Sequence, residues 1–146
     1  MGTISKNFSY REFEESEIAD KYDICNVISS SEVRDNIKAL VDDVLQPLRD
    51  AWGKPLAINS GYRSPEVNRL VGGVPSSQHV LGEAADVCPF GRNGKGDFGI
   101  IESLAGLVND LRLPYDQLIV YPTFVHISHR RGRDRKQFLY NRRCNK

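Results

Sequence analysis

The run Ser77-Gln78-His79-Val80-Leu81-Gly82-Glu83-Ala84-Ala85-Asp86, answered some forty residues later by Phe124-Val125-His126-Ile127-Ser128, constrains this chain more than any other feature. An imidazole and a carboxylate seven positions apart sit nearly two helical turns from each other, about 10 Å along the axis. No one helical face presents both to a single point, so the chain must turn between them. Gly82 and the small Ala84 and Ala85 permit that turn. Beyond it the pattern has a period of two, with Ala85 and Val87 on one side and Ala84, Asp86 and Cys88 on the other. The later segment alternates in the same way, Val125 and Ile127 opposing Phe124, His126 and Ser128. Two adjacent strands with their apolar sides on a core therefore bring Asp86 and His126 to the opposite face.

Two imidazoles and one carboxylate are the donor set of a three-ligand Zn2+ site. On a four-coordinate ion they leave one position open to reactants, the arrangement of catalytic rather than structural sites. Taken singly, each residue has a plainer reading. His79 would sit in a surface loop, Asp86 would be a solvated carboxylate at a strand end, and His126 would be a hydrogen-bonded strand histidine. It is the ordered combination that favours a metal.

The pattern S-x-H-x-x-G-x-A-x-D over Ser77 to Asp86, followed by a distal strand histidine, resembles the zinc D-alanyl-D-alanine carboxypeptidases and L-alanyl-D-glutamate endopeptidases of peptidoglycan. Further matches lie in Ser60-Gly61-Tyr62-Arg63-Ser64-Pro65-Glu66-Val67-Asn68 and in Asp116-Gln117-Leu118-Ile119, so the resemblance runs from about Asn7 to Ser128. It implies His79, Asp86 and His126 as zinc ligands, and Arg63 as the cation that engages a substrate carboxylate or polarises its carbonyl. Without that context Arg63 reads as a capping or surface ion-pair residue just ahead of the Ser64-Pro65 helix start. Ser77, which opens the motif, is taken as a substrate contact. The implied substrate is a stem peptide of bacterial cell-wall peptidoglycan, and the implied fold is that of the hedgehog/DD-peptidase group.

One part of the pattern is broken. The family's general base is usually a carboxylate three residues before the second histidine, or a glutamate just after the Gln-Leu-Ile strand; Thr123 and Tyr121 hold those positions here. A neutral tyrosine is a poor base at pH 7 but can donate a hydrogen bond to a developing oxyanion. Asp116 is the nearest other carboxylate, and turn parity decides its use. With Pro122-Thr123 as a two-residue turn, Ile119 faces His126 and Gln117 shares its side; with a three-residue loop, Leu118 faces it and Asp116 shares its side. The ordinary reading of Asp116 is a carboxylate capping a turn. Glu83 lies between two ligands and is read as solvated. Loss of the base leaves an alternative to the enzyme: a weak or inactive zinc-containing module that binds wall peptides.

The rest of the chain supplies a scaffold. With 146 residues and 40% hydrophobic content it is long enough for one domain that buries about two thirds of its unfolded surface. No segment approaches the roughly twenty apolar residues of a membrane span, and Met1 to Tyr10 lacks the apolar run of a secretion signal. The expectation is a cytoplasmic monomer as synthesised, reaching the wall after release as phage lysis enzymes do, with the alternative of a leader lost from the sequence. Cys25, Cys88 and Cys144 form no C-x-x-C pair and are expected as free thiols.

Ser9 to Glu12 predicts a capped helix through about Ala19, and Ser29 to Glu32 starts a second that carries an apolar stripe to Trp52-Gly53 and is kinked by Pro47. A strand at Leu56 to Asn59, a helix over Asp97 to Leu111 and a late hairpin about Pro122-Thr123 complete the order. This is an α+β fold, a small mostly antiparallel sheet with helices packed on one side. The domain is expected over 1–128 and a basic tail over 129–146, where eight basic side chains oppose the single acid Asp134. That tail is read as solvated, with Phe138, Leu139 and Tyr140 able to dock or to add an edge strand. Nucleic acid is not an expected partner, since it would explain the tail alone.

Overall fold

The computed structural model describes residues 2–141; Arg142, Arg143, Cys144 and Lys146 of the basic tail lie outside the described residues. The N-terminal helix expected through Ala19 is instead two. After a short hairpin of β1 (Thr3–Ser5) and β2 (Phe8–Ser9), α1 (Tyr10–Glu14) starts at the Ser9 cap. Ser16 then caps α2 (Glu17–Lys21), its hydroxyl accepting from the Ala19 N–H at 3.1 Å. A second capping serine competes with continued helix, and the backbone between the two helices is extended at Glu15.

The apolar stripe after Ser30 forms α3 (Ser31–Leu40) and α4 (Gln46–Trp52), joined by a π-helical turn over Val41–Leu45. Pro47 has no N–H for the carbonyl four residues back and crowds it, and the π turn absorbs that mismatch where a kink was expected. Gly53, at φ +76°, ends the helix. Ile37, Leu40, Val41, Val44, Leu45 and Leu48 are all fully buried.

Then follow β3 (Ala57–Ser60), α5 (Pro65–Leu70), α6 (Gln78–Leu81), β4 (Ala84–Cys88) and α7 (Phe98–Asp110). The chain closes with β5 (Gln117–Val120), β6 (Val125–Ser128) and β7 (Gln137–Tyr140). The sheet order is β3-β4-β6-β5-β7, antiparallel except where β7 lies parallel to β5. Ala85, Val87, Leu118, Val120, Val125 and Ile127 point into one core with the α3–α4 stripe and with Ile101, Leu104 and Val108 of α7. Each such aliphatic side chain contributes roughly 1.5–3 kcal/mol relative to exposure. The long helices thus cover one face, which frees the other for polar residues. No helix of the described residues is long and apolar enough to cross a membrane.

Past Ser128, where the sequence puts the end of the domain, the chain stays on the sheet. Arg135 grips the fully buried Asp116 with its Nε at 2.9 Å, its Nη2 at 2.8 Å and its backbone N–H at 2.7 Å. Both ring nitrogens of the buried His129 face carboxylates at 2.7 Å, Asp43 on the π turn and Asp134. Arg131 adds a two-point contact to Asp43. Much of the basic charge in 129–136 is therefore matched within the domain, and the solvated reading does not describe this stretch.

These contacts make stability acid-sensitive. Hydrogen bonds from Arg135 hold the Asp116 carboxyl down at about 2, and those from Arg131 and His129 hold Asp43 at about 2. A depressed folded-state pKa stabilises above the unfolded value near 4 and loses that contribution as pH falls toward 2. For the buried Asp116 the loss is about 2 kcal/mol. Urea midpoints measured from pH 6 to pH 2 should fall below pH 4, and Asp116→Asn should flatten that fall; an unchanged slope in the variant would refute the assignment.

Candidate metal centre

Strand pairing sets Asp86 of β4 directly opposite His126 of β6. Both belong to the face away from the core, as the period of two requires. His79 arrives from α6, a single turn that begins where the Ser77 hydroxyl accepts the His79 N–H at 3.2 Å. Ser77, expected as a substrate contact, has its hydroxyl on the backbone N–H of His79 as the cap of α6. Gly82, in the left-handed region at φ +77°, turns the chain from α6 toward β4.

His79, Asp86 and His126 are all buried, and one donor atom from each lies within 4.8 Å of the others; among the described residues they form the group that could hold a metal ion. His79 Nδ1 meets the Gly61 carbonyl at 2.8 Å, so it carries the proton and leaves the Nε2 lone pair facing inward. Burial lowers the ring's pKa to about 4 against the opposing pull of Asp86, so the imidazole is neutral at pH 7. Its Nε2 has no hydrogen-bond partner yet stands 3.4 Å from an Asp86 oxygen. A buried lone pair aimed at a carboxylate is two acceptors face to face, and such an arrangement calls for a cation between them. His126 Nδ1 lies 2.9 Å from that same oxygen. Two nitrogens and one oxygen suit zinc, and the donors present fit it.

Arg63 completes the site. It is 7% exposed, and its Nη2 lies 3.9 Å from the other Asp86 oxygen. Ser60 Oγ accepts from Nε and Asn68 Oδ1 from Nη1, each at 3.2 Å, which fixes the guanidinium plane. Burial lowers its pKa and Asp86 raises it, but an arginine stays charged. Two polar side chains that sequence reasoning missed as site supports hold this segment. Asn26 donates to the Tyr62 carbonyl at 3.0 Å and accepts from the Ser64 N–H at 2.7 Å, while Asn68 ties Arg63 to the Val74 carbonyl. Asn68 belonged to a motif; Asn26 carried no signal.

The proposed proton-transfer residues separate. Tyr121 flanks the turn, stacked on Phe124 at 4.6 Å between ring centres. Burial and the Asp86 carboxylate raise its pKa, so at neutral pH it is a hydrogen-bond donor and not a base. Asp116 is corrected by parity. Pro122-Thr123 is a two-residue turn, Ile119 pairs with His126, and Asp116 is spent on Arg135 away from the metal group. Glu83 is buried rather than solvated, accepting from Gln78 at 3.2 Å and facing Arg130 at 3.5 Å. Buried Cys88 meets the Gly94 and Thr123 carbonyls at 3.4 Å, linking two walls of the cleft.

The site opens into a cleft of about 390 Å3 whose wall includes Arg63, Asp86, Thr123 and Phe124. Among known proteins, the family model described as Peptidase M15 matches residues 7–128. Over 44 residues, 30% of this chain, the sequence is 48% identical to the zinc D-Ala-D-Ala carboxypeptidase of Streptomyces albus G. That stretch spans 17% of the relative's length.

Proposed function

Because this chain belongs to the peptidase M15 family, we propose that it is a zinc-dependent peptidase that hydrolyses a peptide bond in the stem peptides of bacterial cell-wall peptidoglycan. The observation that carries the reading is the buried His79 lone pair facing the Asp86 carboxylate, with His126 on the same oxygen. His79, Asp86 and His126 would hold zinc, which when bound would supply Lewis acidity toward a carbonyl and water.

The chain's own residues divide the remaining work. Arg63, fixed by Ser60 and Asn68, presents a positive charge to the cleft and binds the substrate carboxylate or its carbonyl oxygen. Tyr121, kept neutral, donates a hydrogen bond to oxygen that gains charge. Ser77 acts through α6 by holding His79 in place. A relative named as a D-Ala-D-Ala carboxypeptidase supports the substrate class.

A second reading is favoured by Thr123, which lines the cleft at a position where the family resemblance implies a carboxylate, and by the commitment of Asp116 to Arg135. In that reading the chain binds wall peptides and turns over weakly, since loss of a general base costs about 10²–10⁴-fold. Incubating the zinc-loaded protein with purified sacculi separates the two. The enzyme releases new peptide fragments well above a His126→Ala control, whereas release equal to that control leaves only the binder.

A further inference from the structure

One wall of the cleft is the loop Gly91 to Gly96, which reaches across to the start of α2: Arg92 Nη1 meets Glu15 at 2.7 Å and Asn93 Nδ2 meets Glu17 at 3.2 Å. The Asn93 N–H also binds Asn59 Oδ1 at 2.6 Å, which fastens the strap to β3. An exposed ion pair such as Arg92–Glu15 holds little by itself, but the loop is held from beneath as well. A Cβ at Gly94 would stand 2.1 Å from the Phe90 carbonyl and one at Gly96 2.4 Å from the Phe90 ring, so the loop lies directly on that residue.

The order across the sheet gives the strap its meaning. His126 lies on β6, Asp86 next to it on β4, and Ser60, which holds Arg63, opposite Asp86 on edge strand β3. Asn59, the neighbour of Ser60 on that same strand, holds the strap beside it. A peptide laid from the metal group past Arg63 therefore runs into Arg92 and Asn93. Resting on the peptidase reading above, the geometry points to Arg92 and Asn93, braced by Glu15 and Glu17, as the specificity-determining residues that make this site take a chain end. The residue beyond the scissile bond carries a free carboxylate at Arg63, and a peptide that continues further is turned away.

The test reads binding, so that it stands apart from turnover. Two phosphinate analogues of an acylated Ala-Ala peptide serve as probes on the zinc-loaded chain, one with a free C-terminal carboxylate and one extended by a further alanine. The wild-type protein should bind the free-ended analogue about tenfold or more tightly than the extended one. Glu15→Gln, which loosens the strap while keeping the Arg92 charge, should bring the ratio within about threefold, and Asn93→Ala should move it the same way. Equal affinities in the wild type, or an undiminished ratio in both variants, overturns the inference. Selective binding without release of fragments from sacculi would count against hydrolysis and leave the strap standing.

Discussion

Replacing His79 by alanine is expected to abolish stoichiometric zinc binding and to lower peptide release from sacculi by about a thousandfold or more. The expectation follows from geometry. The Gly61 carbonyl fixes the proton on Nδ1, so the inward Nε2 has no role in the metal-free protein beyond facing Asp86. Removing the ring deletes a donor without breaking a hydrogen bond that Nε2 makes to protein. Asp86 keeps Arg63 and His126 as partners. The metal-free variant should therefore lose the packing of one buried side chain and its hydrogen bond to the Gly61 carbonyl, about 2–4 kcal/mol. Linkage gives the sharper readout: zinc at a hundred times its dissociation constant stabilises the folded state by about 2.7 kcal/mol. Melting curves with zinc and with a chelator should differ by several degrees for the wild type and coincide for His79→Ala. A variant that still takes up one equivalent of zinc would remove His79 from the ligand set.

What could be read in the sequence was whatever depended on local periodicity. Asp86 and His126 share a face because strands alternate, and that follows from residues 84–88 and 124–128 without knowledge of the rest. The stripe from Val33 to Leu48 is legible for the same reason at helical spacing. The features that were missed depend on partners distant in the chain. Four residues of α6 are too few to show a period, so His79 looked like a loop residue although Ser77 was positioned to cap it. Asp116 turned on whether a hairpin loop has two or three residues, and parity reverses with that single residue. The brace on Arg63 from Asn68, and the brace from Asn26 on its flanking backbone at Tyr62 and Ser64, come from amides whose neighbours give no sign of burial. Residues 129–136 read as solvated because charge dominates their composition, yet Asp43 is more than eighty positions from the His129 and Arg131 it meets. Strand β7 was open to sequence reasoning only as an apolar interruption, Phe138 to Tyr140, in a basic stretch.

Gly82→Ala is expected to cost about 2–5 kcal/mol, a fall in melting temperature of roughly 6–15 °C, and to weaken zinc binding by more than about tenfold. The backbone there has φ +77°, where an L side chain costs about 1–2 kcal/mol. The added methyl would also stand 2.7 Å from the Val33 carbonyl oxygen and 2.9 Å from Val33 Cγ1. Helix backbone cannot yield as the end of a flexible side chain can, so α6 and the start of β4 must move away from α3. Gly82 lies between His79 and Asp86, and a shift there separates two ligands whose donor atoms must converge. Gly53→Ala is the matched control. Its φ of +76° is nearly the same, but nothing lies within 4 Å of the added methyl, and it stands at the end of α4 away from the metal group. That variant should lose only the conformational cost, about 1–2 kcal/mol, and bind zinc as the wild type does. Equal losses in the two variants would mean that the left-handed backbone alone sets the cost, and that the contact with α3 does not hold the ligands together.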